Sequence, residues 1–315
     1  MKPIKTFSGT NSDLLSLSVV VVAVYTSEHI DRCLTALASQ AGAPNMEIIV
    51  VYHEGVDDTQ VLEKKFSSVQ FYCAPGPQTQ AKMITLGIQR TSGQIVALTV
   101  DHCAPEEHWC AKIMELHKGP HAAVGGSLEI GVQPNTAVNW AVHLYDYCSY
   151  GYYQHPIKPG PARELSDCNV AYKRKILEDR ADLWAEGFHV PIINKVLLAR
   201  GESLWFSPDL LVYQHRDIDF FRAARIAYRR GKAFASARIA SATLGQQLFY
   251  MMLSPFLPIK LVGKLLANLV PKGSHLGSMI RAFPCITLFA TLWSLGEFMG
   301  FFTRRLDRVI LVTEE

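Results

Sequence analysis

A chain of 315 residues, 49% hydrophobic and 19% charged, is long enough for one large α/β domain plus an appendage and is more apolar than an ordinary soluble enzyme. A formal net charge of +3 excludes the strongly basic footprint of a nucleic-acid-binding domain, so no nucleic acid is expected as a partner, and the apolar excess points instead to lipid. Seven cysteines (Cys33, Cys73, Cys103, Cys110, Cys148, Cys168 and Cys285) are odd in number, scattered and without CxxC spacing. That pattern argues against a disulfide framework and a zinc site, and it suits a reducing cytoplasm. The N-terminal MKPIKTFSGTNSDLL contains no apolar stretch of signal-peptide length, so the globular part is expected to face the cytoplasm.

In chain order, Leu17 to Val24 (LSVVVVAV) is a continuous β-branched run of the kind buried on both faces of a parallel sheet. Ser27 then serves as an N-cap for a helix in which Ile30, Leu34 and Leu37 recur at helical spacing. Strand signals return at Glu47 to Val51, at Val69 to Cys73 and at Ile95 to Val100, with helices expected over Val61 to Phe66 and Ala81 to Gln89. This alternation predicts a Rossmann-like α/β fold with a mainly parallel central sheet. Ligands of such sheets sit beyond the carboxyl ends of the strands, which singles out the residues after Val24, Val51 and Val100 by position alone. The aromatics of Ala122 to Tyr153 (Trp140, Tyr145, Tyr147, Tyr150, Tyr152, Tyr153) either line a pocket or pack, packing being the commoner use. Ser166 to Leu177 leads into a basic helix start, and Leu204 to His215 reads as a pair of late strands with a proline turn.

Past His215 the character changes. Asp219 to Arg238 is an amphipathic basic helix pattern with a break at Gly231, suited to an anionic membrane surface, where each Lys or Arg contributes about 1 kcal/mol. Leu248 to Val270 is apolar but carries Pro255, Pro258, Lys260 and Lys264, which fits an interfacial or re-entrant segment as well as a spanning one. Phe283 to Phe302 is the best span candidate, with Arg304, Arg305 and Arg308 after it. Its single acid, Glu297, is expected to face protein, water or a basic partner. The organisation expected is a globular domain over residues 17–216, a basic helical linker over 217–243 and membrane-associated helices over 244–303.

The serial order VVVVAVYTSEHIDRCLTALASQ, EIIVVYHEGVDDT, GQIVALTVDHCAPEEHW, DCNVAYKRKIL and WAEGFHVPIINKVLLARGESLWFSPDLLVYQH resembles the family 2 glycosyltransferases, whose A-type fold binds nucleotide sugars. The resemblance covers about residues 17 to 216, and the C-terminal WSLGEFMGFF resembles the hydrophobic tail of bacterial members from surface-polysaccharide pathways. It implies a nucleotide-sugar donor, a lipid-linked or glycan acceptor, a divalent metal (Mn²⁺ or Mg²⁺) and a seat at the cytoplasmic membrane, with polysaccharide-assembly proteins as partners.

The reaction so implied builds negative charge on a departing diphosphate, which donors or a metal must stabilise. Where relatives carry Asp-x-Asp, this chain has Asp101-His102-Cys103; Asp101 keeps the first acid, and Cys103 is a poor ligand for a hard cation. By the same resemblance, His215 falls on a late histidine that touches metal or diphosphate, so Asp101 and His215 are the candidate metal ligands. Ala23, Val24 and Tyr25 match the strand end that contacts the nucleotide. Tyr52, Glu54 and Asp57 stand where relatives hold base and ribose, and Asp167 and Asn169 stand beside the donor sugar. Lys173 and Arg174 either approach phosphates or cap a helix. Relatives place a Glu-Asp pair where this chain has His189-Val190, so the base that takes the acceptor proton in an inverting transfer is assigned to Glu186 or His189. Departures at Tyr52-His53, Cys103 and His189-Val190 also suit a catalytically impaired relative acting as a binding or scaffold protein.

Overall fold

The structure, a computed structural model, describes residues 16–76, 78–131, 136–147, 149, 151–239 and 243–303. Arg304, Arg305, Arg308, Cys148, Tyr150 and the side chain of Tyr147 lie outside what is described.

The first half alternates as its patterning requires: β1 (Leu17–Ala23), α1 (Ser27–Ala38), β2 (Met46–His53), α2 (Thr59–Lys65), β3 (Gln70–Ala74), α3 (Gln80–Ile88) and β4 (Ile95–Val100). Every residue of β1 and β4 is buried, because helices cover both faces of a parallel sheet and leave no polar side to alternate with. Thr26, rather than Ser27, occupies the N-cap position of α1. The chain continues through β5 (Cys103–Pro105), α4 (Trp109–Leu116), β6 (Ala123–Ile130), α5 (Ala137–Val142), β7 (Gly160–Pro161), β8 (Val170–Lys173), α6 (Arg174–Glu178), α7 (Ala181–Trp184), α8 (Val190–Ala199) and β9 (Leu204–Gln214). The strands form one mixed sheet in the order β3-β2-β1-β4-β8-β6-β9-β5, with β7 paired to β9.

Register decides what the sheet presents at its edge. Val22 stands beside Val51 of β2 and Val100 of β4, so the loops after β1, β2 and β4 leave from one side. β8 runs antiparallel to β4 with Val170 opposite Leu98, which returns Asp167, Cys168 and Asn169 to that same side. Lys173 pairs with Ile95 at the opposite edge. There Lys173 Nζ donates to the Gly119 carbonyl at 2.7 Å and Arg174 donates to Gly93 O and Thr91 Oγ1, so both cations cap loops and neither approaches the strand ends.

The expected strand pair over Leu204 to His215 is a single strand, β9, interrupted by a bulge. Its register with β6 jumps from Gly126↔Ser207 to Ser127↔Leu211, so Pro208, Asp209 and Leu210 loop out where a proline cannot donate to the ladder. Gly126 is required at this step, since a Cβ there would lie 2.0 Å from Leu210 O. The aromatics before it pack, as the commoner reading holds: Tyr152 and Tyr153 meet edge to face, and Tyr153 stacks on Phe206.

Beyond β9 come α9 (Phe220–Ile239), α10 (Leu244–Leu253), α11 (Leu257–Leu269) and α12 (Leu276–Thr303). α9, α11 and α12 share a second core with α5 and its continuation, in which Trp140, Leu144, Ile218, Leu269, Ile286 and Phe289 are buried together. Gly231 does not break α9. It marks the place where α9 and α12 touch backbone to backbone: a Cβ on Gly231 would lie 1.9 Å from Trp293 O, and one on Gly296 would lie 2.0 Å from Tyr228 O. Gly231 with Ala235, and Gly296 with Gly300, form small-x-x-x-small pairs that permit this approach. Glu297 is buried in the contact, facing protein as expected. Lys272, in the turn before α12, ties the block to the sheet domain by donating to the carbonyls of Gly151, Tyr152 and Gln154.

Two helical stretches, Leu244–Lys272 and Leu276–Thr303, are long and apolar enough to cross a membrane. Phe249, Met252, Phe256, Ile259, Ile280 and Phe302 are exposed on them. On α9, Arg222, Arg225 and Arg229 are exposed at helical spacing while the opposite face is covered by α12.

Candidate functional site

Asp101, the first residue past β4, is 1% exposed. Its Oδ2 accepts from the backbone N–H groups of Val24 and Tyr25 at 2.8 and 2.7 Å. Its Oδ1 accepts from the backbone N–H of His102 at 2.9 Å and meets His102 Nδ1 at 3.2 Å. A carboxylate has about four lone-pair directions, and all are taken here by protein donors. Asp101 therefore fixes the turn that leaves β1, which sequence reasoning assigns to nucleotide contact; the N–H groups of Val24 and Tyr25 point inward, and their outer surface is what the edge presents.

Tyr25 sits at the centre of this edge. Its ring meets His102 edge to face at 4.9 Å and lies under the Arg216 guanidinium at 4.9 Å, a cation–π pair over a partly covered ring. Arg216 is itself buried, and with Arg32 nearby it brings positive charge to this edge, while burial lowers the His29 imidazole. Burial, then Arg32 and His29, push the His215 imidazole down to about 4, so it is neutral at physiological pH. Its ring rests on Gly131 and its backbone N–H donates to His102 O at 2.7 Å. The side chains of Asp101 and His215 thus face different neighbours.

Asn169 is also buried and fully engaged. Its Oδ1 accepts from Trp109 Nε1 at 2.8 Å, and its Nδ2 donates to Ser127 O and Leu210 O at 3.0 and 2.7 Å, which stitches the β9 bulge to β6. Asp167, half-buried, accepts from Gln80 Nε2 at 3.0 Å. The N-terminal end of α3 also receives the loop before α8: Phe188 N–H donates to Ala81 O at 2.9 Å, and Gly187, at φ +158, has Ala81 beside it. Glu186 and His189 are exposed on this loop, so the two candidate bases and Asp167 converge on α3. Near the end of β2, Tyr52 is half-buried, while Glu54 and Asp57 beyond it are exposed; Gly76 N–H approaches Glu54 Oε1 at 3.5 Å.

Cysteine spacing argues against a disulfide framework and a zinc site, yet the antiparallel pairing of β8 with β4 brings Cys168 beside His102 and Cys103. The imidazole and the two thiols are buried, with their ligand atoms all within 4.8 Å of one another. Burial alone would lower the His102 imidazole, but its hydrogen bonds to Asp101 and Cys168 outweigh that and hold it above its ordinary value. The hydrogen bond with Cys103, with burial, pushes the Cys168 thiol well up. Sequence reasoning passed over Cys168, His29 and Arg216; only the predicted strand ends could have pointed to them. For Mg²⁺ or Mn²⁺ held by paired carboxylates this donor set does not fit: Asp101 has no free lone pair and the next ligands are thiols.

A mixed sheet of this order, with its loops gathered at one edge, is the architecture of the A-type nucleotide-sugar-binding domain. The chain belongs to glycosyl transferase family 2, whose model matches residues 18–181. It is 27% identical over 141 residues to the glycosyltransferase AglE of Haloferax volcanii, covering 43% of this chain and 45% of AglE, so it spans less than half the length of that relative. In fold it is similar to the mannosyltransferase PcManGT of Pyrobaculum calidifontis, solved with GDP-Man and Mn²⁺, at a TM-score of 0.56 and 14% identity over 94% of this chain and 90% of that one.

Proposed function

We propose that this protein transfers a sugar from a nucleoside-diphosphate donor to a lipid-linked or glycan acceptor at the cytoplasmic face of a membrane, with inversion at the transferred carbon. The observation that carries the reading is the convergence, in a family 2 domain, of the loops after β1, β2 and β4, the segment before β8 and the Glu186 to His189 loop. In this reading the outer surface of Ala23, Val24 and Tyr25, with Tyr52, Glu54 and Asp57, receives the nucleoside. Asp167 accepts from sugar hydroxyls, and Asn169 holds the floor beneath them. Glu186 or His189, on the far side of the donor, takes the acceptor proton. Charge on the leaving diphosphate is met by Arg32, Arg216 and the polar edge around Tyr25. A divalent metal is part of the fold's usual chemistry, and PcManGT was solved with Mn²⁺; because the Asp101 set does not fit a hard cation, no step is assigned to one. The exposed apolar faces of α10 to α12 and the arginine stripe of α9 support a seat in and on an anionic membrane, beside assembly proteins of a polysaccharide pathway.

One observation favours a second reading, a donor-binding relative without transfer activity: Asp101 and Asn169 are both spent on holding the fold. Thermal shift of the detergent-purified chain against UDP-, GDP- and dTDP-sugars, followed by nucleoside diphosphate release, separates the two. Stabilisation with release supports transfer, stabilisation alone supports the binding relative, and no stabilisation by any donor contradicts both.

A further inference from the structure

We propose that His102, Cys103 and Cys168 bind a borderline or soft divalent cation, Zn²⁺ foremost, at the place where the family's acidic motif would hold a hard one. The three side chains are at most 3% exposed, and their ligand atoms lie within 4.8 Å of one another. Tetrahedral coordination with bonds of about 2.0–2.3 Å sets ligand-to-ligand edges of about 3.5–3.8 Å, which small side-chain rotations reach from here. Two thiolates and an imidazole are the donor chemistry of zinc sites and not of magnesium ones.

The surroundings are those of a prepared site. His102 Nδ1 meets the Asp101 carboxylate at 3.2 Å, the outer partner that orients a metal-binding histidine, and its hydrogen bond with Cys168 would give way to metal ligation. His102 lies in the short turn joining β4 to β5, Cys103 opens β5 opposite Gln214, and Cys168 precedes the pinned Asn169, so neighbouring strands hold all three ligands in place. Asp167 Oδ1 lies 3.7 Å from Cys168 Sγ, beside the cluster rather than within it. That carboxylate also faces Gln80 and the α3 end where the candidate bases converge, so an ion here would stiffen the floor of the edge and couple it to the donor-side loops. The inference does not depend on sugar transfer, since it rests on the cluster alone.

The test is a Co²⁺ titration of the full chain, purified in detergent under reducing conditions and stripped with chelator. The expected result is a single equivalent bound with thiolate-to-cobalt charge-transfer absorption, displaced by stoichiometric Zn²⁺ and untouched by excess Mg²⁺. Cys103→Ser and Cys168→Ser each weaken or abolish that band, His102→Gln weakens binding while keeping it, and Asp101→Asn lowers affinity by about 10–100-fold. Cys73→Ser leaves everything unchanged, and thermal melts identify any variant that fails to fold. Absence of the band in the wild-type chain, its survival in the Cys103→Ser/Cys168→Ser double variant, or a Cys103–Cys168 disulfide formed in place of metal binding would each overturn the proposal.

Discussion

The run LSVVVVA of β1 and the run CITLFATLWSL within α12 are built from similar apolar residues, and the fold treats them oppositely. All of β1 is buried between helices, whereas α12 buries one side against α9 and α5 and leaves Ile280, Leu288, Leu295 and Phe302 outward. α10 and α11 go further: 17% of their apolar stretch is buried against 44% of that in α12, and Phe249, Met252 and Ile259 are more than half exposed. Large apolar side chains left in water forfeit about 1.5–3 kcal/mol each, so the outward face of the helical block suggests membrane association, whereas β1 is satisfied within its own core. The inward contacts differ as well. Side-chain interdigitation and strand ladders hold the sheet, and a close backbone crossing of glycines holds α9 to α12.

That contrast is broken most severely at the crossing. Gly296→Val or Gly231→Val puts a side chain where 1.9–2.0 Å separates a Cβ from a carbonyl oxygen. The cost is expected to exceed the usual overpacking penalty of about 1–3 kcal/mol, with loss of cooperative unfolding of the full chain in detergent. Gly263→Ala in α11, where nothing lies within 4 Å, does not lower the melt and is expected to raise it slightly, by up to about 1 kcal/mol of helix propensity.

The sheet domain has its own vulnerable point. Asn169→Ala strands the Trp109 N–H and the Leu210 carbonyl, at about 3 kcal/mol for the buried groups left unpaired. Chemical denaturation followed by tryptophan fluorescence should show the lower midpoint. Weaker is the effect of Arg222→Glu/Arg225→Glu/Arg229→Glu, which leaves the fold intact. Each lost arginine removes about 1 kcal/mol of attraction to an anionic leaflet, so the variant's enrichment of anionic over zwitterionic lipid, read by native mass spectrometry, should vanish.

The smallest effect concerns pH. Burial, then Lys173, hold His117 down to about 4 against an ordinary 6.5. The unfolded chain therefore takes up that proton before the folded one does, and the stability involved is present above pH 6.5 and lost as pH falls from 6.5 towards 4. His117→Gln is expected to flatten the acid limb of the melting temperature by the equivalent of about 1–3 kcal/mol.

Much of this was readable in the residues. Continuous β-branched runs specify β1, β2 and β4, and their parallel register brings the strand ends together. The features that escaped are those set by distant partners. Gly231 reads locally as a helix breaker and becomes a contact point only when Trp293 lies across it. Pro208 reads as a turn, yet the tie from Asn169 to Leu210 keeps β9 one strand. Cys168 lies far along the chain from Cys103, so spacing cannot reveal a cluster that the antiparallel return of β8 creates. The position of Asp101 was legible but its engagement was not, because the donors to its Oδ2 come from the end of another strand.

The central claim is that the gathered edge binds and turns over a nucleotide sugar. The most direct measurement is nucleoside diphosphate release from UDP-, GDP- and dTDP-sugars by the full chain in anionic-lipid nanodiscs, with Asp167→Asn, Glu186→Gln and His189→Ala in parallel. The account predicts release from one donor class, lost in Asp167→Asn and in one of the two base variants while their melting temperatures stay at the wild-type value. Binding without release, or release indifferent to all three substitutions, would contradict it.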